Sequence, residues 1–250
     1  MGHTDPTGQN DPFSGVAKRN ASDRVPPATA CIAGSEDSGN AILAAMKTRE
    51  RLTALRSLMA ERALAAYVVP TSDPHQSEYP PDHWRQRAWL SGFHGSAGTV
   101  VVTAERAGLW TDFRYFLEAE RALAGTGIEL FRLGEQGTLD YPDWLAGELE
   151  PGDRVGFDAA SVSVSSAHGL ERTLAPRGID VVPGDDLVGA IWPDRPDLPA
   201  RPLVAHDVRY AGESRGEKLS ALRQAISDHG ADYHVICTLD DIAWLLNIRG

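Results

Sequence analysis

The chain has 250 residues, 42% hydrophobic and 24% charged, with a formal net charge of -11. That balance suits one large or two ordinary globular domains, and the acidity excludes a nucleic-acid or anionic-membrane surface, because both need clustered Lys and Arg. No apolar run reaches the about 18 residues a membrane helix needs, and the distant Cys31 and Cys237 make no disulfide framework, so a cytoplasmic location is expected.

Residues 1–45 are rich in Gly, Ser, Asp, Asn and Pro, lack a sustained period and are expected to form a disordered extension. Order is expected from Met46, where Leu52, Leu55, Leu58 and Met59 recur at helical spacing. Ala65–Val69, stopped by Pro70, reads as a buried strand. Thr99–Thr103 and Gly108–Thr111 read as a hairpin joined by a short turn. Arg114–Ala124 reads as a helix with Leu117 and Leu123 on its apolar side and Gly125 as its stop. Ile128–Phe131 is a strand and Thr138–Leu149 a helix capped by Thr138. Arg154–Asp158 and Ile179–Val182 are strands on either side of a weaker helix at 164–175. A hairpin followed by βαβ units implies an α/β fold with a mixed sheet and helices on both faces.

Residues 191–202 carry four prolines and scattered charge, and read as a stiff linker between a first domain at 46–190 and a second segment at 203–250. The second segment repeats the opening of the first. Arg51-Leu-Thr-Ala-Leu-Arg56 aligns with Lys218-Leu-Ser-Ala-Leu-Arg223, Val68–Asp73 with Val235–Asp240, and Ala88-Trp-Leu90 with Ala243-Trp-Leu245. The helix-then-strand pair of the first copy is therefore expected again at 218–237, in a second copy cut short at its opening third. So small a remnant is expected to have low order, to dock on the first domain, or to pair strand edges between chains.

Four stretches invite chemistry. Gly92-Phe-His-Gly95-Ser-Ala-Gly98 lacks the glycine two residues before Ser96 that a nucleophile elbow needs, and runs into a strand where a phosphate cradle would run into a helix, so a tight turn is favoured. His75, Glu78 and His83 lie in a proline-broken stretch without the spacing of a zinc helix, so a polar loop is favoured. Arg114, where a strand gives way to a helix, either clamps a carboxylate or carbonyl in a cleft at the sheet edge or is neutralised by Asp112 at the surface. Asp240-Asp241 fits a helix start better than a metal pair. No catalytic triad or paired carboxylates stand out.

Tyr67–Tyr79, Arg87–Thr99, Leu109–Phe116, Ile191–Pro196 and Asp240–Gly250, in this order and spacing, resemble the three-domain Xaa-Pro aminopeptidases (aminopeptidase P). The resemblance covers about 46–250. It implies a creatinase-N-terminal-like, ribonuclease-H-like domain followed by a truncated second copy. It also implies a third, catalytic domain beyond Gly250, holding two metal ions, usually manganese, on two Asp, one His and two Glu. The family releases the residue before a penultimate proline, and the full-length enzymes are homodimers. No catalytic residue and no metal ligand falls in this chain on that reading, so the chain alone is expected to bind no manganese and to be inactive. One family residue carries over: the Arg of a Trp-Thr-Asp-Gly-Arg-Tyr motif that reaches the substrate corresponds to Arg114. Phe113 replaces the usual Gly, which would strain the turn if that position needs positive φ. The alternative is a non-catalytic interaction module or an inactive remnant of the family. Creatine-hydrolysing and prolidase-like relatives, with a single N-terminal domain, fit less well.

Overall fold

The structure, a computed structural model, describes residues 35–250, with side chains from Leu43 onward. The expected disorder of residues 1–34 lies outside the described residues. Helix α1 spans Ser35–Glu61 and so begins ahead of Met46, inside the stretch expected to lack structure. Leu43, Ala44 and Ala45 are strong helix formers, and Ala45 is buried, which carries the helix past its amphipathic part.

The first body is built of β1 (Ala66–Pro70), α2 (Gln86–Ser91), β2 (Thr99–Thr103), β3 (Ala107–Thr111), α3 (Phe116–Leu123), β4 (Glu129–Arg132), α4 (Tyr141–Glu148), β5 (Arg154–Asp158), α5 (Val164–Leu174), β6 (Asp180–Gly184) and α6 (Leu187–Ala190). Its six strands lie in the order β4-β3-β2-β1-β5-β6. Strand β2 runs antiparallel to β1 and β3, and the β3–β4, β1–β5 and β5–β6 pairs are parallel. This is the mixed sheet expected, with β2 and β1 at its centre and the β2–β3 hairpin between β1 and the β4 edge.

Alternation along the strands divides the core in two. Tyr67, Val69, Val100, Val102 and Leu109 face α1, α2, α3 and α6, where Leu52, Leu55, Met59, Leu90, Leu123 and Val188 meet them. Val68, Val101, Trp110, Val155 and Phe157 face α4 and α5, where Trp144, Leu145, Leu170 and Leu174 meet them. Central strands buried on both faces read as continuous apolar runs, as Val100-Val-Val102 does.

Three local expectations need correction. The cap of α4 is Asp140, whose carboxylate accepts from Asp143 N at 3.2 Å, and Pro142 sits in the first turn. Asp plus a first-turn Pro is a stronger start signal than Thr138. The helix expected from Arg114 opens as a 3-10 turn, Phe113–Tyr115, before α3. Leu117 points outward and is 69% exposed, because Ala119 and Leu123 already fill the buried face.

The segment 191–202 is irregular and strapped to the first body. Trp192 stacks on Trp89 with centroids 5.0 Å apart. Arg195 Nε donates to His83 O at 2.8 Å and its Nη1 pairs with Asp186, while His83 Nδ1 lies 2.7 Å from Pro196 O.

Beyond the strap lie β7 (Val204–Ala205), α7 (Val208–Ala211), α8 (Arg215–Asp228), α9 (Leu239–Leu246) and β8 (Ile248–Arg249), with β7 and β8 paired. The repeat appears here in its contacts. Arg51 lies 4.2 Å from the Trp89 ring centroid and donates to Trp89 O; Lys218 lies 4.4 Å from the Trp244 centroid and donates to Trp244 O at 2.9 Å. Gly92 ends α2 with φ 76° and Asn247 ends α9 with φ 50°, both left-handed caps. The strand expected at 235–237 does not form, since the segment has no ladder partner among the described residues, and Val235 is 80% exposed.

Candidate functional site

The motifs carried by the resemblance gather at one edge of the sheet. The loop after β1 (Thr71–Tyr79), the glycine loop before β2 (Gly92–Gly98) and the turn after β3 (Asp112–Tyr115) all lie where β1 and β3 end and β2 begins. The carboxyl ends of strands are where open α/β sheets bind ligands.

Arg114 sits on the β3 turn. Asp112 caps that turn, accepting from Arg114 N at 3.1 Å, and its two carboxylate oxygens take Arg114 Nε and Nη2, each at 2.8 Å. Pairing with Asp112 raises the guanidinium's pKa, and the same hydrogen bonds hold the Asp112 carboxyl below its ordinary range. The Arg114 side chain is nevertheless 56% exposed. An arginine carries five N–H donors, and Asp112 takes two of them, so three remain for a carbonyl or carboxylate. Phe113 is not among the residues at positive φ, so its replacement of a glycine strains nothing; its ring is 79% exposed.

A cleft of about 170 Å³ opens in the same edge, lined among others by Thr71, Tyr79, Trp84, Arg87, His94 and Ser96. Arg87, a residue the sequence did not single out, forms its floor and is 3% exposed. Its guanidinium donates to Thr71 Oγ1 at 2.6 Å, to Phe93 O at 2.9 Å and to Gly95 O, and stands 4.7 Å from the Phe93 ring centroid. No carboxylate pairs with it among the described residues, and burial pushes its pKa down to about 10. A buried charge survives only when its polar atoms find partners, and these three oxygens give each of the three guanidinium nitrogens one while tying two loops together. The sequence signal was its place at the head of the Arg87–Thr99 stretch that carries the resemblance, which gave it no role of its own.

The glycine loop is a tight turn of a demanding kind. A Cβ on Gly95 would stand 2.4 Å from Phe93 Cζ and 2.7 Å from Tyr115 Cδ1, inside contact distance of both rings. Ser96 Oγ lies 2.6 Å from Tyr115 OH. His75 and His83 are not brought together with Glu78 around a common point. His75 Nδ1 faces Cys237 O at 2.8 Å and His83 Nδ1 faces Pro196 O. Asp240 and Asp241 lie in the first turn of α9. Among the described residues, no three His, Cys, Asp or Glu side chains assemble as a metal site, and no helix is long and apolar enough to cross a membrane.

Comparison with known proteins places this architecture. The chain is 43% identical over 206 residues to aminopeptidase P2 of Arabidopsis thaliana, covering 80% of this chain and 29% of that protein. It is 39% identical to a probable Xaa-Pro aminopeptidase P of Laccaria bicolor, covering 82% and 32%. It superposes on the X-prolyl aminopeptidase of Caenorhabditis elegans, described as a cytosolic enzyme with a di-nuclear active site, with a TM-score of 0.76 and 37% identity, over 82% of this chain and 35% of that one. The chain thus spans about a third of the length of the relatives it matches. Two family profiles, each described as the creatinase/prolidase N-terminal domain, match residues 51–191 and 194–250. The chain belongs to the creatinase/prolidase N-terminal domain family.

Proposed function

We propose that this chain is the N-terminal portion of a metal-dependent Xaa-Pro aminopeptidase, walling the active-site cleft, and that Arg114 positions the peptide. The substrate class is a peptide with proline at position two, and the reaction releases the residue before it. The observation that carries this is Arg114 itself. It is paired with Asp112, half-exposed at the carboxyl edge of the sheet, and keeps three donors for a peptide oxygen. A planar fork of that kind suits a carbonyl or carboxylate better than an ammonium would.

On this proposal residues 46–190 and 203–250 are two successive creatinase-like domains joined by 191–202, which the family matches at 51–191 and 194–250 support. On this reading a metal pair, proposed to be manganese, would be held by side chains outside these 250 residues and would supply Lewis acidity for hydrolysis. The enzyme acts in the cytoplasm as a homodimer. The cytosolic, di-nuclear description of the C. elegans relative supports the location and the metal pair.

Two assays test the proposal. The 250-residue chain, incubated with Mn²⁺ and an Ala-Pro-Pro peptide, is expected to release no alanine; release above a metal-free blank would end the claim that catalysis lies elsewhere. In the product of the open reading frame that contains the chain, Arg114→Ala is expected to raise KM for the peptide with the bound metal content unchanged. Unaltered peptide kinetics would remove Arg114 from the site.

A further inference from the structure

We propose that the glycine loop, anchored by Arg87, is a positioning device for Arg114, acting through the ring of Tyr115; this rests on the proposed role of Arg114. Each link is a contact on the structure. Arg87 holds the carbonyls of Phe93 and Gly95, which sets the loop. The loop packs Gly95 against the rings of both Phe93 and Tyr115, with no room for a side chain at position 95. Ser96 then holds the Tyr115 hydroxyl at 2.6 Å, and Phe93 meets the same ring edge-on at 5.9 Å. Tyr115 is thereby held at its hydroxyl by Ser96 and along its ring by Phe93 and Gly95. The Arg114 guanidinium lies 5.1 Å from the centroid of that ring.

Physics assigns the ring a job that Asp112 cannot do alone. A half-exposed arginine with one carboxylate partner two residues away swings with that partner, and such surface pairs hold geometry weakly. An aromatic face adds a second contact through its quadrupole, and the loop behind the ring holds it by the Ser96 and Phe93 contacts. A buried guanidinium with no carboxylate partner among the described residues is a costly anchor. Its three acceptors span Thr71 on one loop and Phe93 and Gly95 on the other. A lysine at position 87 keeps the charge but, as a point donor, cannot hold that fan of oxygens in one plane.

The experiment follows the Arg114 Nε–H signal by NMR in the 250-residue chain labelled with ¹⁵N-arginine. Arg106, doubly bonded to Glu129 at the opposite end of the hairpin, serves as the internal control. Tyr115→Phe, Ser96→Ala and Arg87→Lys are each expected to speed Arg114 Nε–H exchange several-fold and leave Arg106 unmoved. Ser96→Thr, which keeps the hydroxyl, is expected to retain the native rate. Arg114 exchange that is native in both Tyr115→Phe and Ser96→Ala would overturn the proposal, as would loss of the native rate in Ser96→Thr equal to that in Ser96→Ala. Should Arg87→Lys fail to fold, the two surface hydroxyl variants still decide. Titration of the unaltered chain with Ala-Pro-Pro separates the two ideas. An Arg114 signal deaf to the peptide counts against its peptide role, and the exchange rates judge the positioning device independently.

Discussion

The two copies share a local grammar and differ in what surrounds it. Each has a helix carrying a cation, an apolar segment, and a second helix whose Trp receives that cation and whose end turns left-handed. In the first copy the apolar segment is β1, with β2 on one side and β5 on the other, and its residues are almost wholly buried. In the second copy Val235-Ile-Cys237 has no ladder partner among the described residues and forms no strand. Among residues 203–250 only Lys218, Leu245 and Asn247 are buried. The lesson is that a helix and its caps are local, whereas a strand belongs to the sheet that receives it.

The largest expected effect separates the copies by burial. Leu55 and Leu222 are equivalent positions, fully buried and half-buried respectively. Leu55→Ala is expected to cost about 2–5 kcal/mol of first-domain stability. Leu222→Ala should cost about 1 kcal/mol or less, because little apolar surface is removed from water there. Native-state hydrogen exchange of β1 and α8 amides reads each copy separately. Similar losses would mean that the second copy owns a core the fold does not display.

The cation–Trp clasp offers a sharper test. Lys218 Nζ donates to Trp244 O at 2.9 Å and to Asn247 Oδ1 at 2.8 Å, in a buried setting. Lys218→Met keeps the stem but strands both acceptors, at about 1–3 kcal/mol. Faster exchange is expected in α8 and α9, with β1–β3 unchanged. If β1 loosened equally, the two copies would unfold as one unit and the contrast drawn above would lapse.

Much of the first copy is legible in its sequence, because each feature has a local cause. The Leu52–Met59 spacing, the Val100–Val102 run and the Gly125 stop, at φ 74°, all behave as the periodicity and chemistry demand. The misses are tertiary. Leu117 is as apolar as Leu123, yet the packing of α3 leaves it in water. Arg87 breaks the rule that arginines are exposed, and nothing local says that two loops will converge on it. Arg114 is found through the resemblance, but its fixation by Asp112 and Tyr115 needed the fold.

Alkaline pH tests how far the first copy depends on polar groups in its core. Tyr67 OH donates to Asp185 O at 2.7 Å and accepts from Leu187 N at 3.2 Å, and burial pushes its pKa well above the ordinary 10.0. Because the folded pKa is the higher one, this stability is complete below pH 10 and is lost as pH climbs from there toward the folded value. Tyr67→Phe is expected to cost about 1–2 kcal/mol at neutral pH and to flatten the alkaline fall in urea-melt midpoint. An unchanged alkaline slope would assign that fall to other groups.

The smallest effect concerns how helices end in the two copies. The end of α1 is a complete Schellman turn: Leu64 N donates to Met59 O at 2.9 Å and Ala63 N to Ala60 O at 3.1 Å, with Leu64 packed on the core. That turn puts Ala63 at φ 50°. Where α2 and α9 end left-handed they use Gly92 and Asn247, which tolerate the conformation; Ala63 does not, because its Cβ crowds the following carbonyl. Ala63 is exposed, so a substitution there disturbs no packing. Ala63→Gly is therefore expected to stabilise the first copy by about 0.5–1 kcal/mol, the relief of strain exceeding the added freedom of the unfolded chain. The gain should appear as a higher urea midpoint for β1 and α1, with α8 and α9 unmoved. A loss would mean that the hydrogen bonds of the turn, and not its backbone dihedral, set the strength of that helix end.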